Sequence, residues 1–457
     1  MSRSKLSLLS AVCVLLLSHG EGFADASVNW PQFRGPQASG VSEAAAPVTW
    51  NVQSGENIRW QTPIPGLGHA CPIIWQDRIY VATAVKPGAK PELKVGLYGD
   101  ISSYSEKDPH QWRLLCLDKH KGKILWDKLA IQAIPRSERH TKATHCNSTP
   151  ATDGQRIVAL FGSEGLYCFD MEGKQLWHQD LGRMNPGYYA VTDSSWGFGG
   201  SPILHDGKVI VQCDVASEQF LVVFDAKDGR QLWRTPRKDV PTWDTPIVAT
   251  SPGRTQVIVN GWKQIAGYDF ATGHELWHLK EGGDIPVASP ILTHDSVILT
   301  SGHGKYHPMR AVRLNAVGDI TPADITETNQ AVAWCHPRRG NYLSTPIPVG
   351  DLVWGDLDGI VTCFDAVTGK MNYNERIGGG GQGFTASPVS AGGKLYFTGE
   401  QGDVFVLPAT AQFSVLATNK LGGLCLSTPA ASEGTLFFRT TEKLVAVGFK
   451  DKSTDKR

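Results

Sequence analysis

Eight side chains carry the chemistry this sequence has to offer: His140, His145, Trp196, Trp243, Asp244, His303, Arg338 and Tyr342. All fall in polar, Gly- and Pro-containing connections. Trp196, Trp243 and Tyr342 offer flat faces on which a ring can stack. Arg338 and the imidazoles offer donors. Asp244, directly after Trp243, is placed to act as a general base in a dry pocket. His140 and His145 lie five residues apart in one loop, with Glu138 close by. Imidazole is a common metal ligand, but spacing within a loop fixes little geometry, and no metal site is assigned. The chain has no nucleophile elbow, H-E-x-x-H or phosphate-binding loop. Catalytic residues are therefore unassigned. The eight are expected to form a binding surface, or to bond one another and plug a channel.

What positions them is a repeat. A Ser, Thr or Cys stands immediately before each of Pro72, Pro150, Pro202, Pro246, Pro290, Pro346, Pro388 and Pro429. An apolar strand follows each time, at a period centred on about 40–45 residues, which marks a repeat architecture. The clearest unit, Ser201 to Trp233, reads SPILHDGKVIVQCDVASEQFLVVFDAKDGRQLW. It alternates Val/Ile/Phe-rich strands with Asp-Gly turns, the signature of a four-stranded antiparallel sheet.

A second turn adds a finer mark. Asp118, Asp225, Asp269 and Asp365 precede Gly122, Gly229, Gly273 and Gly369 by four residues; Trp126, Trp233, Trp277 and Tyr373 follow after four more. Asp170, Gly173 and Trp177 form a version shorter by one residue. These aromatics, with Trp60, are expected to pack between neighbouring sheets.

Eight such sheets make an all-β, eight-bladed β-propeller spanning residues 57–449. The last unit lacks its fourth strand. Asn57–Trp60, before the first proline, is expected to supply it and close the ring. Blade seven is degenerate, and blade five carries an insertion near Gly318–Thr328. With strands lettered A to D outward from the axis, the A–B and C–D turns share one face. The B–C and D–A loops share the other. Nearly all long connections belong to that second face, so binding residues are expected there. The D–A loops approach the axis, which brings His145, Trp196, Trp243, Asp244 and Tyr342 to the mouth of a central funnel.

The stretches FDAVTGKMNY (Phe364–Tyr373), YDFATGHELW (Tyr268–Trp277) and FDAKDGRQLW (Phe224–Trp233) resemble the pyrroloquinoline-quinone-like (PQQ-like) propeller repeat. That family includes quinoprotein alcohol dehydrogenases, a scaffold lipoprotein of outer-membrane barrel assembly, and secreted propellers of unsettled activity. The opening NWPQFRGPQASGV (Asn29–Val41) is most similar to the last group. The resemblance implies the fold. For the dehydrogenases it also implies PQQ, calcium and a vicinal cysteine pair, but this chain has no adjacent cysteines. The expected function is therefore binding or scaffolding through the B–C/D–A face, toward a protein or glycan. The alternative is a quinone-dependent oxidoreductase acting on an alcohol or sugar.

The 44 basic and 44 acidic residues cancel, so nothing in the charge favours nucleic acid as a partner. Residues 1–26 are read as a secretory signal cleaved near Ala26, and the protein is expected in the periplasm or outside the cell. Residues 27–56 are an N-terminal extension and 450–457 a polar tail. No run is long and apolar enough to span a bilayer. A monomer is expected.

Overall fold

The computed structural model describes residues 28–89, 93–95, 103–191 and 194–450. The signal segment, most of the polar tail, Tyr98 and Asp193 lie outside the described residues.

Each repeat folds as one sheet. In blade three, Ile203–His205, Lys208–Asp214, Gln219–Asp225 and Gln231–Pro236 pair in sequence order, antiparallel throughout. Blades one, two, four, five, six and seven repeat that order. Blade eight is completed by Ile58–Pro63, which pairs antiparallel with Lys443–Val447 as the closing-strand expectation requires. Closing the ring with the chain's start leaves no blade with an open seam.

The expected aromatic wedges form, and their acceptors explain the turn spacing. The indole N–H of Trp60, Trp177, Trp233 and Trp334 donates to a backbone carbonyl in the next blade's C–D turn: Lys119, Ala226, Phe270 and Ala366. The ring then lies on that turn's glycine: Gly122, Gly229, Gly273 or Gly369. These glycines have φ of 69 to 75°, and each leaves room that a Cβ would fill. Trp334 was missing from the sequence-read set because Arg313 stands where the other blades have the turn Asp, and the insertion lengthens the connection that follows.

The pattern breaks where the neighbouring turn differs. Blade two's turn is one residue shorter, and among the described residues the buried indole N–H of Trp126 finds no partner. Blade five has no Gly turn to receive Trp277, which bonds Gln256 within its own sheet instead (2.9 Å). The insertion sends Gly318–Asp319 to pair in parallel with blade four's outer strand. Tyr373 faces degenerate blade seven; its hydroxyl accepts from Trp354 Nε1 at 2.7 Å, and its ring meets Phe413.

The repeated Ser/Thr/Cys-Pro pair has its own role. The N–H of Cys71 donates to Thr149 Oγ1, that of Thr149 to Ser201 Oγ, and that of Ser201 to Thr245 Oγ1. The series continues through Ser289, Thr345, Ser387 and Thr428. All seven links measure 2.9 to 3.0 Å. A belt of hydrogen bonds thus runs around the axis, each blade held by the next blade's hydroxyl. Among the described residues no hydrogen bond closes the last step, from Thr428 N–H to Cys71, where a thiol replaces the hydroxyl.

The N-terminal extension packs into the A–B side of the ring. Trp30 exchanges backbone hydrogen bonds with Ile74 of blade one. Val41–Ser42 pairs in parallel with Val389–Ala391, the inner strand of blade seven. Between them the buried Arg34 donates to the carbonyls of Pro346 (2.8 Å) and Pro388 (3.2 Å).

Candidate functional site

The extension makes the channel one-ended. Phe33, next to Arg34, lines the deep end of a central cavity of about 480 Å³. All eight belt residues, Cys71 to Thr428, line its wall. The other lining side chains come from the loops of the opposite face, as expected from antiparallel order. A cavity of this size, apolar with a few placed polar groups, is in the range of small-ligand sites.

Five of the eight candidates meet here: His140, Trp196, Trp243, His303 and Tyr342. Tyr188 joins them. Its ring is parallel to Trp196 (3°, centroids 6.0 Å apart), and Trp196 stacks on Trp243 at 5.4 Å. His303 lies against Tyr342 at 5.6 Å. Trp243 is pinned by its indole N–H, which donates to the Gly197 carbonyl at 3.0 Å. Tyr189, next to Tyr188 and 41% exposed, extends this aromatic row onto the open face.

The polar groups of the lining have fixed roles. His140 Nδ1 accepts the backbone N–H of Lys142 (3.1 Å), so any proton on this ring's neutral form is on Nε2. His69 Nε2 donates to the Lys142 carbonyl at 2.9 Å. Burial lowers the His69 pKa to about 4, leaving it neutral. Lys142 reaches from the loop between blades one and two to Glu400 of blade seven. Burial lowers the Lys142 pKa, and Glu400 partly restores it. His303 Nδ1 meets Asp284 at 3.1 Å.

The other three candidates lie elsewhere. Asp244 is buried in the wall between blades three and four, where Oδ2 accepts the Asn260 N–H and Oδ1 the Gln212 amide, both at 3.0 Å. Burial and the nearby Asp214 push its pKa well up. It belongs, through Gln212, to a buried network with Asp214, Arg237 and Asp239. Arg338 is exposed at the end of blade five's outer strand, beyond the cavity. His145 is turned into a separate side pocket under blade one, against Glu106 and His110.

Sequence reasoning missed Phe33, Asn147, Glu400 and the role of the belt. The recurring hydroxyl before proline was the available signal for the belt. Nothing local marks Phe33, which lines the cavity from the extension, or Glu400, which holds Lys142 and Thr385 from behind the lining.

The PQQ-like propeller repeat defines the class of this protein, and comparison with known proteins places the chain within it. Residues 39–187 and 110–375 match the family described as "Outer membrane protein assembly factor BamB", and the chain belongs to that family. No curated protein is similar in sequence. Among solved structures, BamB from Moraxella catarrhalis aligns with a TM-score of 0.54 and 15% identity, over 80% of this chain and 98% of that one. A europium-containing methanol dehydrogenase gives 0.61 and 12%, over 93% and 90%. The quinohemoprotein alcohol dehydrogenase from Comamonas testosteroni gives 0.63 and 13%, over 94% and 82%. At these identities the likeness is one of fold.

The cavity's donor set can be tested against the cofactors of such dehydrogenases. Calcium takes about six to eight oxygen ligands, with carboxylates prominent. No Asp or Glu is among the described residues lining the cavity, so this lining does not fit calcium. For the quinone, the aromatic row supplies a stacking surface, but no cysteine pair stands beside it.

Proposed function

We propose that this propeller is a binding module that captures a ligand bearing a flat face, such as a sugar ring of a glycan, in its central funnel. The observation that carries this reading is the row Tyr188–Trp196–Trp243 at the mouth of a one-ended cavity. Aromatic faces supply dispersion and quadrupole attraction without charge. Beside them the His140 imidazole, its Nδ1 held by the Lys142 N–H, turns Nε2 as the polar group offered to a ligand hydroxyl or carbonyl. The chain acts by recognition. Its place is the periplasm or the cell exterior, following the signal-like residues 1–26; among the described residues no helix is long and apolar enough to cross a membrane. The name of the family and its BamB member support the protein-interaction side of this reading.

A quinone-dependent oxidoreductase is the second reading. It is favoured by the likeness in fold to two alcohol dehydrogenases. The absence of carboxylates from the lining counts against the calcium form.

The test is a binding screen of an oligosaccharide panel, with pyrroloquinoline quinone (with and without calcium) alongside. Replacing Trp196, Trp243 or Tyr342 by alanine should weaken a saturating ligand by roughly threefold to tenfold each, the loss of one aromatic contact. Binding unchanged in all three variants overturns the funnel as the site. Dye reduction after reconstitution with quinone moves the second reading to first place.

A further inference from the structure

The side pocket that takes His145 holds a second constellation. Glu106 comes from the B–C loop of blade one, His110 opens the strand His110–Asp118, and His145 comes from the loop between blades one and two. One ligand atom from each lies within 4.8 Å of the others. His145 Nε2 is 3.1 Å from Glu106 Oε2, and His110 Nε2 is 3.6 Å from Glu106 Oε1. All three residues are about nine-tenths buried or more, at 5, 7 and 9% side-chain exposure for His110, His145 and Glu106.

Several features beyond proximity suit a metal ion. His110 Nδ1 donates to the Asp108 carbonyl at 2.9 Å. That bond fixes the tautomer and leaves the Nε2 lone pair facing Glu106, the outer-shell arrangement of metal-bound imidazoles. Trp112 Nε1 holds the His145 backbone carbonyl at 2.9 Å. Arg139 Nε holds one carboxylate oxygen of Glu106 at 2.8 Å and lies over the Tyr104 ring. This orients Glu106 and turns Oε1 toward His110 Nε2; Lys86 Nζ stands 3.9 Å from Oε1 but makes its close pair with Asp108 at 2.6 Å, so a metal ion would displace only a long contact. A pocket of about 190 Å³ adjoins the three, with room for solvent ligands.

We infer that Glu106, His110 and His145 form a site for a divalent first-row transition ion such as zinc, completed by solvent from the side pocket. Two imidazoles and a carboxylate with an open position are a recurrent zinc set, and the same donors serve other ions of this row. The site lies behind the funnel wall. Ser103–Tyr104 pairs with Arg139–His140, so an ion here would tie the Glu106 loop to the loop that presents His140 and Lys142. The inference is independent of which ligand the funnel takes.

The experiment is a titration of untagged, chelator-treated protein with zinc by calorimetry and with cobalt by visible absorption. One equivalent should bind, with cobalt bands between about 500 and 650 nm if four ligands surround it. His110→Ala and His145→Ala should weaken binding at least tenfold, while His274→Ala, in an exposed turn of blade four, should not. Absence of saturable binding in the wild type, or one equivalent retained by both folded variants, overturns the site. If an alanine variant does not fold, zinc-edge X-ray absorption of the wild type decides. Two imidazoles and oxygen donors are expected; a first shell without imidazole overturns the inference.

Discussion

The backbone N–H of Cys71 donates to Thr149 Oγ1 at 3.0 Å, and its own thiol marks the step where the axial belt does not close. Every other blade offers a hydroxyl to the blade before it. A net hydrogen bond between neutral groups is worth about 0.5–1.5 kcal/mol, and a buried donor left without a partner costs about 1–3 kcal/mol. Cys71→Ser is therefore expected to raise the melting temperature by supplying the eighth link. Thr245→Val, which leaves the Ser201 N–H unsatisfied, is expected to destabilise by about 1–3 kcal/mol. Denaturant melts of the two variants check this. A Cys71→Ser chain less stable than the wild type would count against the belt as a stabilising device.

The wedge between blades makes a paired prediction about glycines. Gly229 has φ 75°, and a Cβ there would come within 2.8 Å of the Trp177 ring. Gly207 has φ 66° and nothing within 4 Å of such a Cβ. Gly207→Ala therefore meets only the left-handed backbone penalty, about 1–2 kcal/mol. Gly229→Ala adds a displaced indole, about 1–3 kcal/mol more. Equal losses in the two variants would show that the Trp177 contact is loose.

Asp356 gives a pH dependence with a definite sign. It is buried in blade six, accepting from the Gly359 N–H at 3.0 Å. Burial is the main cause that raises its pKa from 3.8 to about 8, and nearby Asp358 adds to it. The folded chain thus holds a proton that the unfolded chain has released above the ordinary carboxylate range. Its contribution is present at low pH and is lost as pH rises from about 4 to about 8, by up to about 1.4 kcal/mol per unit. Asp356→Asn removes that slope. Melts of both chains at pH 5, 6, 7 and 8 should diverge in favour of the variant as pH rises; parallel curves would contradict the assignment.

The fold was legible in this sequence because its signals are short-range and recur. A hydroxyl before proline, an Asp-to-Gly turn and a following Trp each report on a few neighbouring residues, and repetition made them readable. The closing strand at Ile58–Pro63 followed from a missing fourth strand. The funnel was legible only in outline. Antiparallel order brought Trp196, Trp243, His303 and Tyr342 to one face, where they line the same cavity, since loops of one set share one side. It could not say which way a side chain turns within a loop. Asp244 turns into the wall because Asn260 and Gln212 satisfy its oxygens there. His145 turns outward to Glu106, a residue 39 positions away. The extension was read as a separate segment, yet Arg34 meets Pro388 across 354 residues; no local pattern encodes such a contact.

The most direct test of the funnel as a binding site is a fluorescence titration of the wild type, Trp196→Ala and Trp243→Ala with the oligosaccharide panel and with pyrroloquinoline quinone. The predicted result is one saturable site for at least one ligand, weakened roughly threefold to tenfold in each variant, with unchanged melting cooperativity. Saturable binding that both variants retain at full affinity, or no saturation by any probe, would contradict the account.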